Sequence, residues 1–313
     1  MLRLATGLAV IAGTLIASRL SEAIDLFRFP LAWWGIVLAL DGAVRVRHGR
    51  SPLGTVRDLA LYAFASVAFW DAFELLNLRL HDWWYVGVPR NPLVGAAFSA
   101  ISYATVLPAV RLALALVAPT PGAERIAAVR SPEKAREMAA VGLAMLAAAV
   151  AAPRVAFPFA WIFLWPFCEA LLSRLRDDTP TIASPLQAWR AGRRDLVVRT
   201  LALGLPFGLV WESLNWRCAR GWIYTVPHFE RPKLFEMPVA GYLGYLPFLL
   251  ECTAALAVAE RLRPKRTAAI LAAVCVAALH LGTDLISRPI TVLSVARLQA
   301  AGVSHGSGRR DPG

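Results

Sequence analysis

The segment Trp70–Arg79 reads WDAFELLNLR, and the segment Trp211–Arg217 reads WESLNWR. Both contain the pattern Glu-x-Leu-Asn-x-Arg, and both end a long apolar stretch of the chain. Glutamate, asparagine and arginine are rare in apolar stretches of this length, because each is costly to place there. A pattern of this kind that occurs twice indicates that the chain is built from two related halves.

Six further short matches flank the duplicated pattern, in the same order in both halves. The offset between matching positions rises from 128 to 139 along the chain. We therefore predict a tandem internal repeat of about four helices in each half, with the halves parallel to one another. The matches are Phe29-Pro30-x-Ala32-Trp33 with Phe157-Pro158-x-Ala160-Trp161, Asp41 with Glu169, Ser51-Pro52-Leu53 with Ser184-Pro185-Leu186, Arg57-Asp58-Leu59 with Arg194-Asp195-Leu196, Trp84…Val88-Pro89 with Trp222…Val226-Pro227, and Leu107-Pro108 with Leu246-Pro247.

Composition decides the class of protein. Of the 313 residues, 58% are hydrophobic and 17% are charged, against about 25% charged in an average soluble domain. The mean hydropathy is +0.54. A soluble fold of this size cannot hide so much apolar surface, which excludes a soluble enzyme, a disordered chain and a disulfide scaffold. The fold class is therefore all-α, a polytopic bundle of membrane-spanning helices.

About nine stretches are apolar enough to be read as spans, given that a helix needs about 20 residues to cross the hydrocarbon core. The first stretch resembles a secretory signal peptide. We favour a retained helix, because the segment has a counterpart later in the chain. The fifth and sixth stretches form either a helical hairpin or one broken helix. The predicted spans are 2–18, 29–46, 56–78, 93–118, 138–152, 155–173, 196–214, 238–259 and 267–286.

These spans define the predicted domain organisation. Residues 1–118 form the first repeat and residues 138–260 form the second, with a cytoplasmic linker at 119–137 between them. An additional C-terminal helix and its flank occupy 261–303. The polar tail 304–313 is predicted to be disordered.

Charge and cysteine usage agree with this organisation. The formal net charge is +12, but the basic residues lie in short runs between apolar segments and form no nucleic-acid motif. With the N-terminus inside, the inner segments hold 18 Lys and Arg residues and the outer segments hold 13. This bias predicts a multi-pass protein of a bacterial-type cytoplasmic membrane with its N-terminus inside. Four isolated cysteines predict neither a disulfide nor a metal site.

The duplicated pattern is the candidate catalytic site. Glu74 and Asn77 share a helix face at i, i+3, and so do Glu212 and Asn215. A charged carboxylate in the hydrocarbon costs roughly 2.5–3.5 kcal/mol, so two matching ones imply mutual pairing, protonation or a ligand. We expect the two faces to meet in one polar pocket near the outer leaflet. The alternative is a purely structural network that holds the halves together.

Further residues are predicted to bind substrate around these carboxyl groups. Two loops that follow the duplicated pattern are aromatic and form either a wall around an apolar ligand or an interfacial belt. His280 and Asp284, at i, i+4, are predicted to pair, and Arg111 to neutralise Glu74 or Glu251. The substrate-binding set is Asp71, Arg79, Arg217, Trp84, Trp222, Tyr224 and Glu251. No phosphate-binding, dinucleotide-binding or zinc motif occurs, so no cofactor or metal is expected.

Part of each half resembles the lycopene-cyclase-domain family of small membrane carotenoid cyclases. The resemblance covers about 50 residues per half and implies paired helical repeats and an isoprenoid-sized apolar ligand. The family carries acidic residues after the proline, where this chain has Val239-Ala240-Gly241 and Leu93-Val94-Gly95, so its route of cyclisation is not implied. The matching motifs are Trp211-Glu212, Gly221-Trp222-x-Tyr224 and Pro238…Tyr242…Tyr245, and Trp70-Asp71, Trp84-Tyr85 and Pro92…Phe98.

Three candidate functions are consistent with these sequence features. The first is a membrane enzyme that acts on an isoprenoid or carotenoid-like lipid, with Glu74 and Glu212 as acid–base groups and Asn77 and Asn215 orienting them. The second is a non-catalytic scaffold or lipid-binding protein, and the third is a transporter with parallel repeats. The expected partner is a membrane lipid or isoprenoid, with a further membrane protein left open and nucleic acid excluded.

Overall fold

The structure is a computed structural model that describes residues 1–126, 132–175 and 181–293. Most of these residues are helical, as the composition predicts. The α-helices are α1 Leu2–Leu20, α2 Glu22–Asp25, α3 Arg28–His48, α4 Val56–Leu80, α5 Pro92–Tyr103, α6 Val106–Val117, α7 Pro132–Ala151, α8 Pro153–Ala156, α9 Leu164–Leu172, α10 Pro185–Arg190, α11 Arg194–Asn215, α12 Tyr245–Arg261 and α13 Arg266–Thr291. Two 3₁₀ helices lie at Phe157–Trp161 and Val239–Gly244.

Short strands join parts of the chain that are far apart in sequence. They form three antiparallel pairs, β1 with β4, β2 with β3 and β5 with β6. The first pair connects the two halves of the chain, and we call it the ribbon. The strands are β1 Trp83–Val86, β2 Arg125–Ile126, β3 Thr181–Ile182, β4 Gly221–Tyr224, β5 Lys233–Leu234 and β6 Met237–Pro238.

Seven of the described helical segments are long and apolar enough to cross a membrane. A bent pair, Pro153–Trp161 with Leu164–Leu172, raises the number to eight if it counts as one span. The sequence predicts nine, and the difference lies in α7. Four charged residues occupy the first turns of this helix and leave roughly 14 apolar residues, which reach about 21 Å and fall short of a hydrocarbon core of ~30 Å. These are Glu133, Lys134, Arg136 and Glu137.

The α7–α9 segment leaves one end of the bundle and returns to the same end. Helix α7 packs against α9, and the two helices are joined by a break with a 43° bend beyond it. Strand β2 precedes α7 and pairs with β3, which follows α9. The segment is therefore a hairpin, one of the two arrangements that the sequence left open. It does not alter which end of the bundle any other helix reaches.

The bundle has two chemically different ends. The ribbon end holds β1 and β4, and Tyr85 also bridges to Val292 beyond α13. The opposite end, which we call the ion-pair end, holds buried Arg111. Its guanidinium lies 3.0 Å from Glu124 Oε1 and 3.1 Å from Glu260 Oε1. Arg111 thus neutralises neither Glu74 nor Glu251, because it lies on the part of α6 nearest the ion-pair end.

Helix α1 packs along α3 through glycines. A Cβ at Gly7 would meet the backbone nitrogen of Ala39, and a Cβ at Gly42 would meet the backbone of Leu4. Small residues allow helices in a membrane to approach this closely. An ion pair between Arg3 and Asp41, at 2.6 Å, also joins α1 to α3. The structure therefore supports the interpretation of the first apolar stretch as a helix of the bundle.

An aromatic core lies between the two halves, close to the ribbon. Trp211 contacts both Phe29 and Trp33 in T-shaped geometry, with centroid distances of 5.1 and 5.0 Å. Trp70 lies 5.5 Å from Trp211, and Phe73 stacks on Trp161 at 5.8 Å. Helices from both halves therefore share one core. The predicted boundaries at 118 and 260 fall next to the ends of α6 and α12, and the tail 304–313 lies outside the described residues.

Candidate functional site

Two asparagines connect the end of a helix to the strand that follows it. Asn77 Oδ1 accepts from the backbone N–H of Asp82 at 2.9 Å, and its Nδ2 donates to the carbonyl of Trp83 at 2.8 Å. Asn215 makes the matching pair of bonds with the backbone of Trp222, at 3.0 and 2.9 Å. Both amides thus fix the strands β1 and β4, a positioning role that differs from the predicted orientation of the carboxyl groups.

The matching asparagines identify which residues of the two strands correspond. Trp83 corresponds to Trp222, one residue earlier than the sequence comparison indicates, and Tyr85 corresponds to Tyr224. In the ribbon Trp83 lies opposite Tyr224, and Tyr85 lies opposite Trp222. Each tryptophan position therefore meets the tyrosine position of the other half.

Glu74 is held by a cluster of neutral donors. Its Oε1 accepts from Trp70 Nε1 at 2.9 Å, from Trp83 Nε1 at 3.3 Å and from the hydroxyl of Tyr85 at 2.6 Å. Burial and the adjacent carboxyl group raise the pKa of Tyr85 well above its usual value. The phenol therefore stays protonated and donates, while the hydroxyl of Tyr103 donates to it in turn at 3.2 Å.

Glu212 has a similar set of tyrosine donors. Its Oε1 accepts from Tyr224 at 2.9 Å and from Tyr245 at 2.6 Å. Its Oε2 is buried without a hydrogen-bond partner among the described residues. The structure does not bring the two glutamates into one pocket as predicted, because they bond to different tyrosines and Glu212 is not among the residues that line the cavity at Glu74.

A cavity of about 90 Å³ lies under the ribbon, and Glu74 is on its wall whereas Glu212 is not. Sites for drug-sized ligands span about 300–1,000 Å³, so this cavity takes one end of a chain and not a whole lipid. Its lining is mainly aromatic, with ring faces from both halves. The walls include Phe29, Trp70, Trp83, Trp161, Trp211 and Trp222.

A hydrogen-bonded chain of side chains runs from α4 to α13 beside this cavity. His280 Nδ1 lies 2.8 Å from Asp71 Oδ1, and His280 Nε2 lies 3.1 Å from the hydroxyl of Ser99. Ser99 donates to Asp284 at 3.3 Å, and Arg288 pairs with Asp284 at 2.6 Å. The predicted direct pair of His280 with Asp284 is thus wrong, because Ser99 lies between them and His280 turns towards α4.

The other predicted substrate-binding residues lie in different places. Trp222 and Tyr224 line the cavity, whereas Trp84 turns outward and donates to the hydroxyl of Thr225 at 3.0 Å. Arg79 is exposed, and Arg217 stacks over Trp216 at 4.6 Å, outside the cavity lining. Glu251, fully buried in α12, accepts from the backbone of Leu164 at the hairpin. Asp71 lies behind the cavity wall, next to His280.

Sequence reasoning missed several residues that shape this cavity. Aromatic side chains two residues apart, in both Trp83–Val86 and Gly221–Tyr224, were the available signal for Trp83 and Tyr85. Other residues come from positions that only the tertiary structure brings together. They are Tyr103, Trp161, Ser99, Arg220 and Arg288.

Comparisons of the chain with protein-family models, curated proteins and solved structures found no match. The likeness to the lycopene-cyclase-domain family therefore stays a prediction. Within residues 1–126, 132–175 and 181–293, no three His, Cys, Asp or Glu side chains are grouped as metal ligands. What the cavity does offer is an apolar, aromatic surface with the Glu74 carboxyl group on its wall and Asp284, Arg220 and Arg288 among its other polar lining residues.

Proposed function

We propose that this integral membrane protein binds an apolar segment of an isoprenoid-type lipid in the cavity under the ribbon and uses Glu74 as an acid–base group on it. The observation that carries the proposal is the position of Glu74, which is the only one of the two duplicated glutamates on the cavity wall. Ligand sites are mostly apolar with a few fixed polar groups, and this cavity has that character.

The surroundings of Glu74 suit proton transfer to a lipid. Three neutral donors hold one carboxyl oxygen at 2.6–3.3 Å, which fixes the direction of the group. A fixed carboxyl group within reach of a substrate contributes typically 10²–10⁴-fold to a rate as general acid or base. The surrounding tryptophan faces stabilise positive charge that develops on a protonated alkene. Catalysis on an isoprenoid is therefore the form of this function that we favour.

Glu212 supports a different role in the second half. Two tyrosines occupy its Oε1, and the carboxyl group does not reach the cavity. We propose that the two halves descend from one unit of about four helices and that the second copy of the motif has kept a structural role. The register of the ribbon supports a common origin. Trp83 lies opposite Tyr224, the counterpart of Tyr85, and Tyr85 lies opposite Trp222, the counterpart of Trp83.

The two glutamates make a matched pair of variants for the experiment. Full-length wild type, Glu74→Gln and Glu212→Gln are purified in detergent, and the lipids that co-purify are identified by mass spectrometry. We expect an isoprenoid or other non-bulk lipid with the wild type. Because Glu74 lines the cavity, this lipid is lost or chemically altered in Glu74→Gln and retained in Glu212→Gln. The same loss in both variants, at equal fold stability, contradicts a site at Glu74.

A non-catalytic scaffold is the second candidate, and the cage around Glu212 favours it. In this alternative, each buried glutamate accepts a hydrogen bond from a tyrosine of the neighbouring strand, and its sole role is to hold the ribbon on the bundle. In that case all three proteins hold bulk phospholipid alone, and both variants lose thermal stability to a similar extent. The transporter stays a prediction of the sequence, with pH-dependent flux in liposomes as its test.

A further inference from the structure

The rim of the cavity carries two arginines at the ribbon end. Arg288, near the end of α13, pairs with Asp284 at 2.6 Å and donates to the carbonyl of Pro89 at 3.0 Å. Arg220, just before β4, donates from Nε to the carbonyl of Gly87 at 2.9 Å. Both residues line the cavity. The cavity wall thus carries two guanidinium groups in addition to the Glu74 carboxyl group.

Arg220 forms no ion pair with a carboxylate of the described residues. Its Nη1 is buried and has no hydrogen-bond partner among the described residues. Its guanidinium lies 3.8 Å from the ring centroid of Phe98 and 5.5 Å from that of Phe27. Stacking on rings stabilises a cation but supplies no hydrogen-bond acceptor. A buried donor on a charged group that stays unsatisfied is costly, and such a cost is relieved when an anion binds.

The direction of the cavity fits an amphiphile. Its polar rim is at the ribbon end of the bundle. Its apolar wall, formed by Trp70, Trp161 and Trp211, lies deeper. Helices α5 and α13 form one side of it, and their outward faces are apolar, with Leu93, Val94, Leu285 and Ile286 exposed. A lipid in a bilayer is arranged in the same way, with its charged group at the membrane–water interface and its apolar chain deeper.

We propose that the ligand of this cavity is an anionic amphiphile, with a carboxylate or phosphate bound by Arg220 and the adjacent carbons of its chain against the tryptophan walls. The proposal rests on the proposed function and specifies its ligand class. Arg288, which Asp284 holds in place, adds a second positive charge to the cavity lining. A chain longer than the cavity continues past α5 and α13 into the bilayer.

The test compares two ligands that share one isoprenoid chain and differ in charge, and adds a fatty acid as a second anion. Geranylgeranyl monophosphate, geranylgeraniol and palmitate are titrated into the full-length protein in neutral detergent, with quenching of the cavity tryptophans as the readout. We expect the monophosphate to bind at least about tenfold more tightly than the alcohol, since a charge-assisted hydrogen bond is added. Binding of palmitate in place of the monophosphate identifies a fatty-acid source of the same anionic chemistry.

Three arginine variants make the test specific to one side chain. Arg220→Gln removes the preference for the anion but keeps the affinity for the alcohol, and Arg220→Lys keeps most of the preference. Arg217→Gln, three residues away and outside the cavity lining, changes neither affinity. A preference that survives in Arg220→Gln overturns the proposal, as does equal binding of alcohol and monophosphate. The proposed function fails separately, if none of the three ligands quenches the tryptophans.

Discussion

At the scale of single residues, Asp82 is the most unusual group at the ribbon end. It directly precedes β1, its side chain is 1% exposed, and both carboxyl oxygens lack a hydrogen-bond partner among the described residues. Burial raises the pKa of Asp82 from its ordinary value of 3.8 to about 7. An unpaired carboxylate at this position opposes folding, so the protein is most stable when Asp82 is protonated.

The sign of the pH dependence follows from this pKa. Between pH 4 and pH 7 the folded protein holds a proton on Asp82 that the unfolded chain has released. The free energy of unfolding from this group therefore falls as the pH rises through that window, and the loss is complete above pH 7. We predict that Asp82→Asn raises the stability at pH 8 by about 1–2 kcal/mol and changes it little at pH 4.

Thermal unfolding in detergent checks this prediction at both pH values. Glu137→Gln is the control, because Glu137 is 58% exposed and pairs with exposed Lys134, which makes its contribution small. A stabilisation of Asp82→Asn that is the same at pH 4 and pH 8 would show that the charge of Asp82 is not the cause.

At the scale of elements, the α1–α3 contact depends on glycines at defined positions. Gly7 faces the backbone of Ala39 with no room for a Cβ, whereas Gly13 has open space around it in the same helix. We predict that Gly7→Ala destabilises the protein by about 1–3 kcal/mol, because the two backbones must move apart. Gly13→Ala has the opposite sign and stabilises by about 0.5–1 kcal/mol through helix propensity.

Melting temperatures of both variants decide this prediction, since the same substitution is made twice in one helix. Propensity alone would stabilise both variants, so a stabilised Gly7→Ala contradicts close packing of α1 on α3. A stabilised Gly7→Ala would also be expected if the first apolar stretch made no contact with the bundle.

The elements also show how far the sequence can predict this fold. Long apolar stretches predicted seven, or with the bent pair eight, helices that are long and apolar enough to span a membrane, because about 20 apolar residues have few other solutions in a membrane. The ribbon was not predicted, since strands of four residues owe their stability to a partner more than 130 positions away. The same aromatic residues fit an interfacial belt equally well until β1 and β4 are seen to pair.

The candidate site was predictable only in part, for a related reason. The duplicated Glu-x-Leu-Asn-x-Arg pattern located Glu74 and Asn77, because polar residues in apolar stretches stand out. It could not distinguish Glu74 from Glu212, since their local sequences are alike and they differ only in the partners that the tertiary structure brings to them. Arg220 gave no signal, because an arginine beside a predicted interface is ordinary.

At the scale of the whole molecule, the chain connectivity fixes which segments share a side of the membrane. Strands β1 and β4 pair, so Arg79 and Arg217, which are exposed just before them, lie at the ribbon end. The α7–α9 hairpin returns to the end that it left and preserves this arrangement. Arg190, exposed at the end of α10, belongs to the ion-pair end. The excess of Lys and Arg in segments at the ion-pair end predicts that this end faces the cytoplasm.

We predict that a membrane-impermeant maleimide labels Arg79→Cys and Arg217→Cys in intact cells and labels Arg190→Cys only after the cells are opened. The four native cysteines are replaced by alanine first, because Cys275 is exposed. The reverse pattern at all three positions would retain the fold and invert the orientation, so the basic residues would not be the cause of topology here. Labelling of Arg79→Cys and Arg217→Cys from opposite sides is incompatible with a paired ribbon, and with it the cavity under the ribbon and both proposals for its ligand would fail.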